Sequence, residues 1–123
     1  MTGVQTCALP IFDEITTTGV TRVCEVRGGE VRGYTLEPET FGIRRAALGD
    51  LAGGGPAENA AAMRQVLASG AGPLADVTVL NAGAALYVAG VTADLAAGVE
   101  RARAALVSGE AADKLAQLVR FMA

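Results

Sequence analysis

The chain has 123 residues, the length of one ordinary domain, and its hydrophobic content of 51% includes few aromatic residues, 4% of the chain. A formal net charge of −3 argues against a nucleic-acid partner, because such proteins carry an excess of basic side chains. The absence of histidine excludes Ser-His-Asp and Cys-His catalytic groups, which leaves carboxylates, hydroxyls or a bound hard cation for any chemistry.

The first eleven residues, MTGVQTCALPI, differ in character from the rest of the chain. They lack the positively charged start and the long apolar run of a signal peptide. They resemble the translation of a sequencing-library adapter read from a GTG start codon, and the next adapter base would make Phe12 a hybrid residue. We therefore expect residues 1–11, including Cys7, to be a non-native scar. Residues 12–123 are then expected to be the C-terminal fragment of a longer protein.

The stretch DEITTTG places two carboxylates, Asp13 and Glu14, side by side before three threonines. Such a pair is either a solvated turn or a binding site for a cation, and from the residues alone surface charge is the commoner case. The threonines have a structural explanation, because β-branched residues are favoured at the entry to a strand. The acidic pair is thus the candidate site, with both interpretations open.

Two strands are predicted next, in VTRVCEV and VRGYTLE, joined by RGGE with a glycine pair suited to a hairpin turn. The alternation of Val20, Val23 and Val26 with polar residues is imperfect, and Cys24 is expected to act as a small apolar strand residue. Two cysteines in unlike contexts do not make a disulfide framework, so a reducing cytoplasm fits best.

A connector with a short helical turn at residues 46–51 leads to the predicted helix PAENAAAMRQVLASG, which begins at a proline and ends at a glycine. The preceding glycines in AGGGPAENA could cradle a phosphate, but no Lys-Ser/Thr follows them. We therefore expect a loop and helix cap there. Arg44 and Arg45 could steer an anionic substrate, although solvated charge is the usual role of such a pair.

Three further helices complete the prediction. PLADVTVLNAGAALYVAG is apolar nearly all round, which indicates a buried helix, and its run is shorter than the roughly 20 residues needed to span a membrane. Within it, Gly83 permits close helix contact, and Asn81 is expected to satisfy a neighbouring backbone group. Thr92 is the predicted N-cap of the next helix, and Ser108 that of the last. The apolar stripe of the last helix contains Leu115, Leu118, Val119 and Met122.

The predicted fold class is α/β, with two β-strands followed by about four α-helices. Together, DEITTTG, TRVCEVRGGEV, GGGPAENA and LNAGAALYVAG resemble the C-terminal part of the anthranilate phosphoribosyltransferase family. Three positions depart from the family pattern: Val20 replaces a usual proline, Gly55 an acidic residue, and Gly83 one of a run of alanines. None of the three removes a ligand.

The resemblance implies transfer of the phosphoribosyl group of phosphoribosyl pyrophosphate to anthranilate, in tryptophan biosynthesis, by a cytoplasmic and homodimeric parent enzyme. It also implies that Asp13 and Glu14 bind Mg²⁺. Adjacent side chains of an extended backbone point to opposite sides, so either a bend or two ions would be required. The family's other substrate-binding elements would lie upstream, so the fragment is expected to be inactive alone. The alternatives are a related nucleoside phosphorylase and a non-catalytic α/β interaction domain.

Overall fold

A computed structural model of the chain describes residues 3–6 and 13–123. Within them an antiparallel three-stranded sheet, in the order β1-β2-β3, precedes four helices. The strands are β1 (Gly3–Thr6), β2 (Thr21–Arg27) and β3 (Glu30–Leu36). Two 3-10 turns, Pro38–Phe41 and Leu48–Leu51, lead to the helices α1 (Pro56–Ser69), α2 (Pro73–Val88), α3 (Leu95–Val107) and α4 (Glu110–Met122).

The predicted hairpin and the four predicted helices are confirmed. The turn between β2 and β3 uses Gly28 at φ 59° and Gly29 at φ 84°, the left-handed conformations that a two-residue hairpin loop requires. β1 adds a third strand within the segment assigned to a scar and excluded from the fold prediction. The remainder of that segment, with Cys7, and the hybrid position Phe12 lie outside the described residues, and the origin of residues 1–11 stays a prediction.

β2 presents its odd-numbered positions to the interior. Thr21, Val23 and Glu25 are buried and alternate with exposed Arg22 and Cys24, as the two-residue period of a strand requires. The expectation that Cys24 acts as an apolar strand residue is therefore not met, because its side chain lies on the exposed face. The valine alternation is imperfect, as the sequence indicated: Val23 is buried, whereas Val20 and Val26 are exposed, because a spacing of three residues does not follow one face of a strand.

The core lies between α2 and α3 and is completed by two residues from loops. α2 contributes Ala75, Val79 and Leu80 and α3 contributes Val99, Ala102 and Leu106, while Ile15 and Ile43 pack against them from outside the helices. The prediction that α2 is buried holds for one face, because Thr78, Ala82 and Ala85 are exposed. The predicted apolar stripe of α4 is largely exposed, with Met122 at 77% of its full accessibility.

Gly83 of α2 and Gly98 of α3 allow the two helices to touch through their backbones. A Cβ atom added at Gly83 would lie 2.6 Å from the backbone nitrogen of Val99, and one added at Gly98 would overlap the carbonyl oxygen of Gly83. The close contact predicted at Gly83 is thus confirmed, and its counterpart is a second glycine.

Two predicted caps are wrong by one or two residues. α3 is capped by Asp94, whose Oδ1 accepts from the backbone N–H of Ala97 at 2.8 Å, and Thr92 lies outside the cap. At α4 the N-cap is Gly109, with Ser108 one residue earlier. By its length and apolarity, no single helix of the described ranges can cross a membrane; α1 and α2 together pass that test but are bent by 77°.

Replacing Gly83 with alanine tests the helix contact. Alanine favours a helix by about 1 kcal/mol over glycine, but forcing an atom into a packed contact costs roughly 1–3 kcal/mol or more. We expect Gly83→Ala to lower the free energy of unfolding, measured by urea denaturation followed by circular dichroism. Gly33→Ala is the control, because an added Cβ there has no neighbour within 4 Å. A Gly83→Ala chain as stable as wild type would contradict the close contact.

Candidate metal-binding site

The acidic pair lies on the loop that leads into β2. Asp13 and Glu14 are exposed at a bend in the backbone, whereas Ile15 is 4% exposed and Thr17 is fully buried. The inward side chains anchor the loop in the core, and both carboxylates remain at the surface. A bend, one of the two arrangements that would let both neighbours bind metal, is therefore present.

Asn81 connects this loop to α2. Its Oδ1 accepts from the backbone N–H of Ile15 at 2.9 Å, and its Nδ2 donates to the carbonyl oxygen of Ile15 at 2.9 Å and to that of Val77 at 2.9 Å. One side-chain amide thus satisfies both polar groups of a buried residue from 66 positions away in the chain. The prediction that Asn81 forms hydrogen bonds to a neighbouring backbone group is confirmed.

The threonines form a network within the loop. The hydroxyl of Thr16 accepts from the backbone N–H of Thr18 at 3.0 Å, and the backbone N–H of Thr16 donates to the hydroxyl of Thr21 at 3.2 Å. The carbonyl oxygen of Thr17 accepts from the backbone N–H of Ala46 at 3.0 Å. The structural interpretation of the threonines holds, but strand propensity is not the reason, because β2 begins only at Thr21. Their hydroxyls instead stabilise the local turn.

Glu14 borders a shallow depression of about 500 Å³ against α2. The other residues that line it are Leu51, Leu74, Val77, Thr78, Asn81 and Ala82. The described residues contain no cluster of three or more His, Cys, Asp or Glu side chains suited to a metal. Two carboxylates nevertheless fit Mg²⁺, which prefers oxygen ligands, keeps several waters and commonly takes one or two carboxylates from the protein.

The glycine loop before α1 and Arg45, which were candidates for binding an anion, have partners inside the chain. The backbone N–H of Gly54 donates to Oδ1 of Asn59 at 2.8 Å, and that of Gly55 donates to Oε2 of Glu58 at 2.7 Å. These side chains cap the start of α1, which confirms the loop-and-cap interpretation. Arg45 forms an exposed ion pair with Glu39, with Nε and Oε1 2.8 Å apart.

A buried acid on β2 was not predicted as a site residue. Glu25 accepts from the hydroxyl of Tyr34 at 3.2 Å and from that of Tyr87 on α2, while the Arg27 guanidinium lies 5.9 Å from the centre of the Tyr87 ring. Burial, followed by the charge of Glu25 and the hydrogen bond to it, raises the pKa of Tyr34 to about 12. The hydrogen bond to Glu25 is the main cause of the raised pKa of Tyr87. The cluster joins the sheet to α2. An acidic residue at an inward position of a strand is the feature by which the sequence could have indicated it.

The part of the chain that contains the acidic loop and α2 matches a known protein family. A family model described as the glycosyl transferase family, a/b domain, matches residues 6–112. The chain belongs to this family. Asp13, Glu14 and Asn81 all lie within the matched residues, so the acidic loop and the helix that holds it are part of the family domain.

Individual relatives agree with the resemblance read from the sequence. Anthranilate phosphoribosyltransferase of Methylocella silvestris is 50% identical over 108 residues, which are 88% of this chain and 31% of that protein. The crystal structure of the enzyme from Thermus thermophilus is 45% identical, with a TM-score of 0.86, over 98% of this chain and 35% of that one. A Saccharomyces cerevisiae variant with Mg bound is 25% identical, with a TM-score of 0.73, over 85% and 31%. The chain thus spans about a third of the length of these relatives.

The tyrosine cluster predicts a loss of stability in alkali. Because folding raises the pKa of Tyr34 from 10.0 to about 12, its contribution is complete below pH 10 and disappears as the pH rises to about 12. We expect the free energy of unfolding, from urea titrations at fixed pH, to fall across this window and to fall less in Tyr34→Phe. Lys114→Gln is the control, because it removes an exposed charge on α4 that lies outside the cluster. An unchanged slope in Tyr34→Phe would count against the cluster.

Proposed function

We propose that this chain is part of an anthranilate phosphoribosyltransferase, which transfers the phosphoribosyl group of phosphoribosyl pyrophosphate to the amino group of anthranilate. The support is the family membership and the 50% identity to a protein of that name. Because the chain spans 31% of that relative, the reaction is a property of the whole protein. A cytoplasmic location and a homodimeric parent belong to the same proposal.

The observation that carries the proposal is the exposed carboxylate pair on an anchored loop. Asp13 and Glu14 offer four oxygen atoms at a bend, and the inward residues Ile15 and Thr17 hold the backbone beneath them. In the proposed role, the two carboxylates bind and orient Mg²⁺. When bound, Mg²⁺ offsets the negative charge that develops on the pyrophosphate as it leaves.

A hybrid enzyme tests the role of the pair. Residues 13–123 replace the corresponding part of the Thermus thermophilus enzyme, which is 45% identical. We expect Mg²⁺-dependent product formation by the hybrid and a fall in kcat of about 10²–10³ after Asp13→Asn with Glu14→Gln, the usual effect of removing a group that stabilises transition-state charge. The measurement is anthranilate consumption followed by fluorescence.

The matched control for that experiment is Glu30→Gln, which removes an exposed acid at the start of β3, in the hairpin. It is expected to leave turnover unchanged. Full turnover with an unchanged Mg²⁺ requirement in the doubly substituted hybrid would refute the metal assignment. A hybrid without activity when the pair is intact would argue against the family reaction itself.

The 123-residue chain alone is expected to form no product, since it spans about a third of its relatives. A fluorescence assay of the purified chain with anthranilate, phosphoribosyl pyrophosphate and Mg²⁺ checks this. The Thermus thermophilus enzyme under the same conditions is the positive control. Turnover above the protein-free background would show that the chain holds a complete site.

A further inference from the structure

Asn81 has an unusual position for a polar residue. It belongs to α2, where its neighbours Val79, Leu80 and Gly83 are buried, and the long stretch around it is apolar. A buried or half-buried amide must find hydrogen-bond partners, because leaving one unsatisfied costs about 1–3 kcal/mol. Both ends of the Asn81 amide bond to the backbone of Ile15, the residue that follows Glu14.

The geometry makes this contact specific to the acidic pair. The N–H of Ile15 and the carbonyl group of Glu14 belong to one planar peptide unit. When Oδ1 of Asn81 accepts from that N–H at 2.9 Å, it restrains this peptide plane, which adjoins the Cα atom of Glu14. The second bond, from Nδ2 to the carbonyl oxygen of Ile15, fixes the next peptide plane as well.

Other contacts hold the loop on its far side. Ile15 packs in the core, and the carbonyl oxygen of Thr17 accepts from the N–H of Ala46. Among the contacts described for the loop, those of Asn81 are the ones that reach the peptide unit shared with Glu14. Glu14 and Asn81 also line the same depression.

We propose that Asn81 is a positioning residue for the acidic pair: its double hydrogen bond to Ile15 holds Glu14 and Asp13 in the orientation that binds a divalent cation. This inference rests on the proposed metal role of the pair. Residues that orient metal ligands typically change metal affinity 10–100-fold when they are replaced, without touching the ion. A residue that only fills space between loop and helix would change stability and leave affinity unchanged.

The test uses Mn²⁺ as the probe and the 123-residue chain as the protein. Binding is followed by water-proton relaxation, and the exchange rate of the Ile15 amide hydrogen is measured by NMR in parallel. We expect Asn81→Leu, which keeps the number and branching of the side-chain heavy atoms and removes three hydrogen bonds, to weaken Mn²⁺ binding about 10-fold. It should also accelerate exchange at Ile15.

Thr78→Val is the matched control. Thr78 lines the same depression, but its hydroxyl donates only within α2, to the carbonyl oxygen of Leu74 at 2.7 Å. Its replacement should change neither Mn²⁺ affinity nor exchange at Ile15. A folded Asn81→Leu chain with fast Ile15 exchange and wild-type affinity would overturn the positioning role and leave the metal assignment intact.

Two further measurements separate the metal role of the acidic pair from the positioning role of Asn81. Asp13→Asn with Glu14→Gln should abolish Mn²⁺ binding, and unchanged binding there would refute the proposed metal role and the inference with it. If Asn81→Leu does not fold, the wild-type chain provides the test. Cation binding and loop order are coupled in both directions, so a cation that binds the held loop more tightly must also slow exchange of the Ile15 amide hydrogen. Mg²⁺ is the cation in this measurement, because it is diamagnetic and leaves the Ile15 signal visible; exchange that is the same with and without saturating Mg²⁺ would overturn the positioning role.

Discussion

The two hydrogen bonds between the Asn81 amide and the backbone of Ile15 are the constraint on which the candidate site depends. An isolated loop with two adjacent carboxylates would spread its charges apart, since like charges repel at short range. Here the loop is held by a rigid helix, and the helix is held in turn by the core it shares with α3. Charge repulsion at the surface is thus offset by hydrogen bonding and burial directly below it.

The contact between α2 and α3 extends this constraint through the domain. Because Gly83 and Gly98 lack side chains, the helix backbones meet and α2 has little freedom to shift along or away from α3. Asn81 lies two residues before Gly83, so the residue that holds the loop belongs to the most tightly packed part of the helix. The Glu25 cluster adds a second connection, between β2 and the end of α2 at Tyr87.

The sequence predicted the parts of this arrangement that depend on local chemistry. The hairpin follows from its glycine pair, and the helices follow from their apolar patterns and, for α1, from the proline and glycine at its ends. The hydrogen bonding of Asn81 to a backbone group follows from the cost of an unsatisfied amide. The sequence could not predict that the backbone group bound by Asn81 belongs to Ile15. The two residues are 66 positions apart, and only the packed fold brings them together. Glu25 was missed for a similar reason, since Tyr87 lies 62 positions away.

The central claim is that Asp13 and Glu14 form the divalent-cation site of this domain. Paramagnetic broadening of backbone amide signals by substoichiometric Mn²⁺ tests it most directly, since broadening falls steeply with distance from the ion. The account predicts that the signals of residues 13–15 broaden first, ahead of those around Glu110 and Asp113, a second pair of acids on the first turn of α4. Earlier broadening at α4, or equal broadening at all acidic residues, would contradict it.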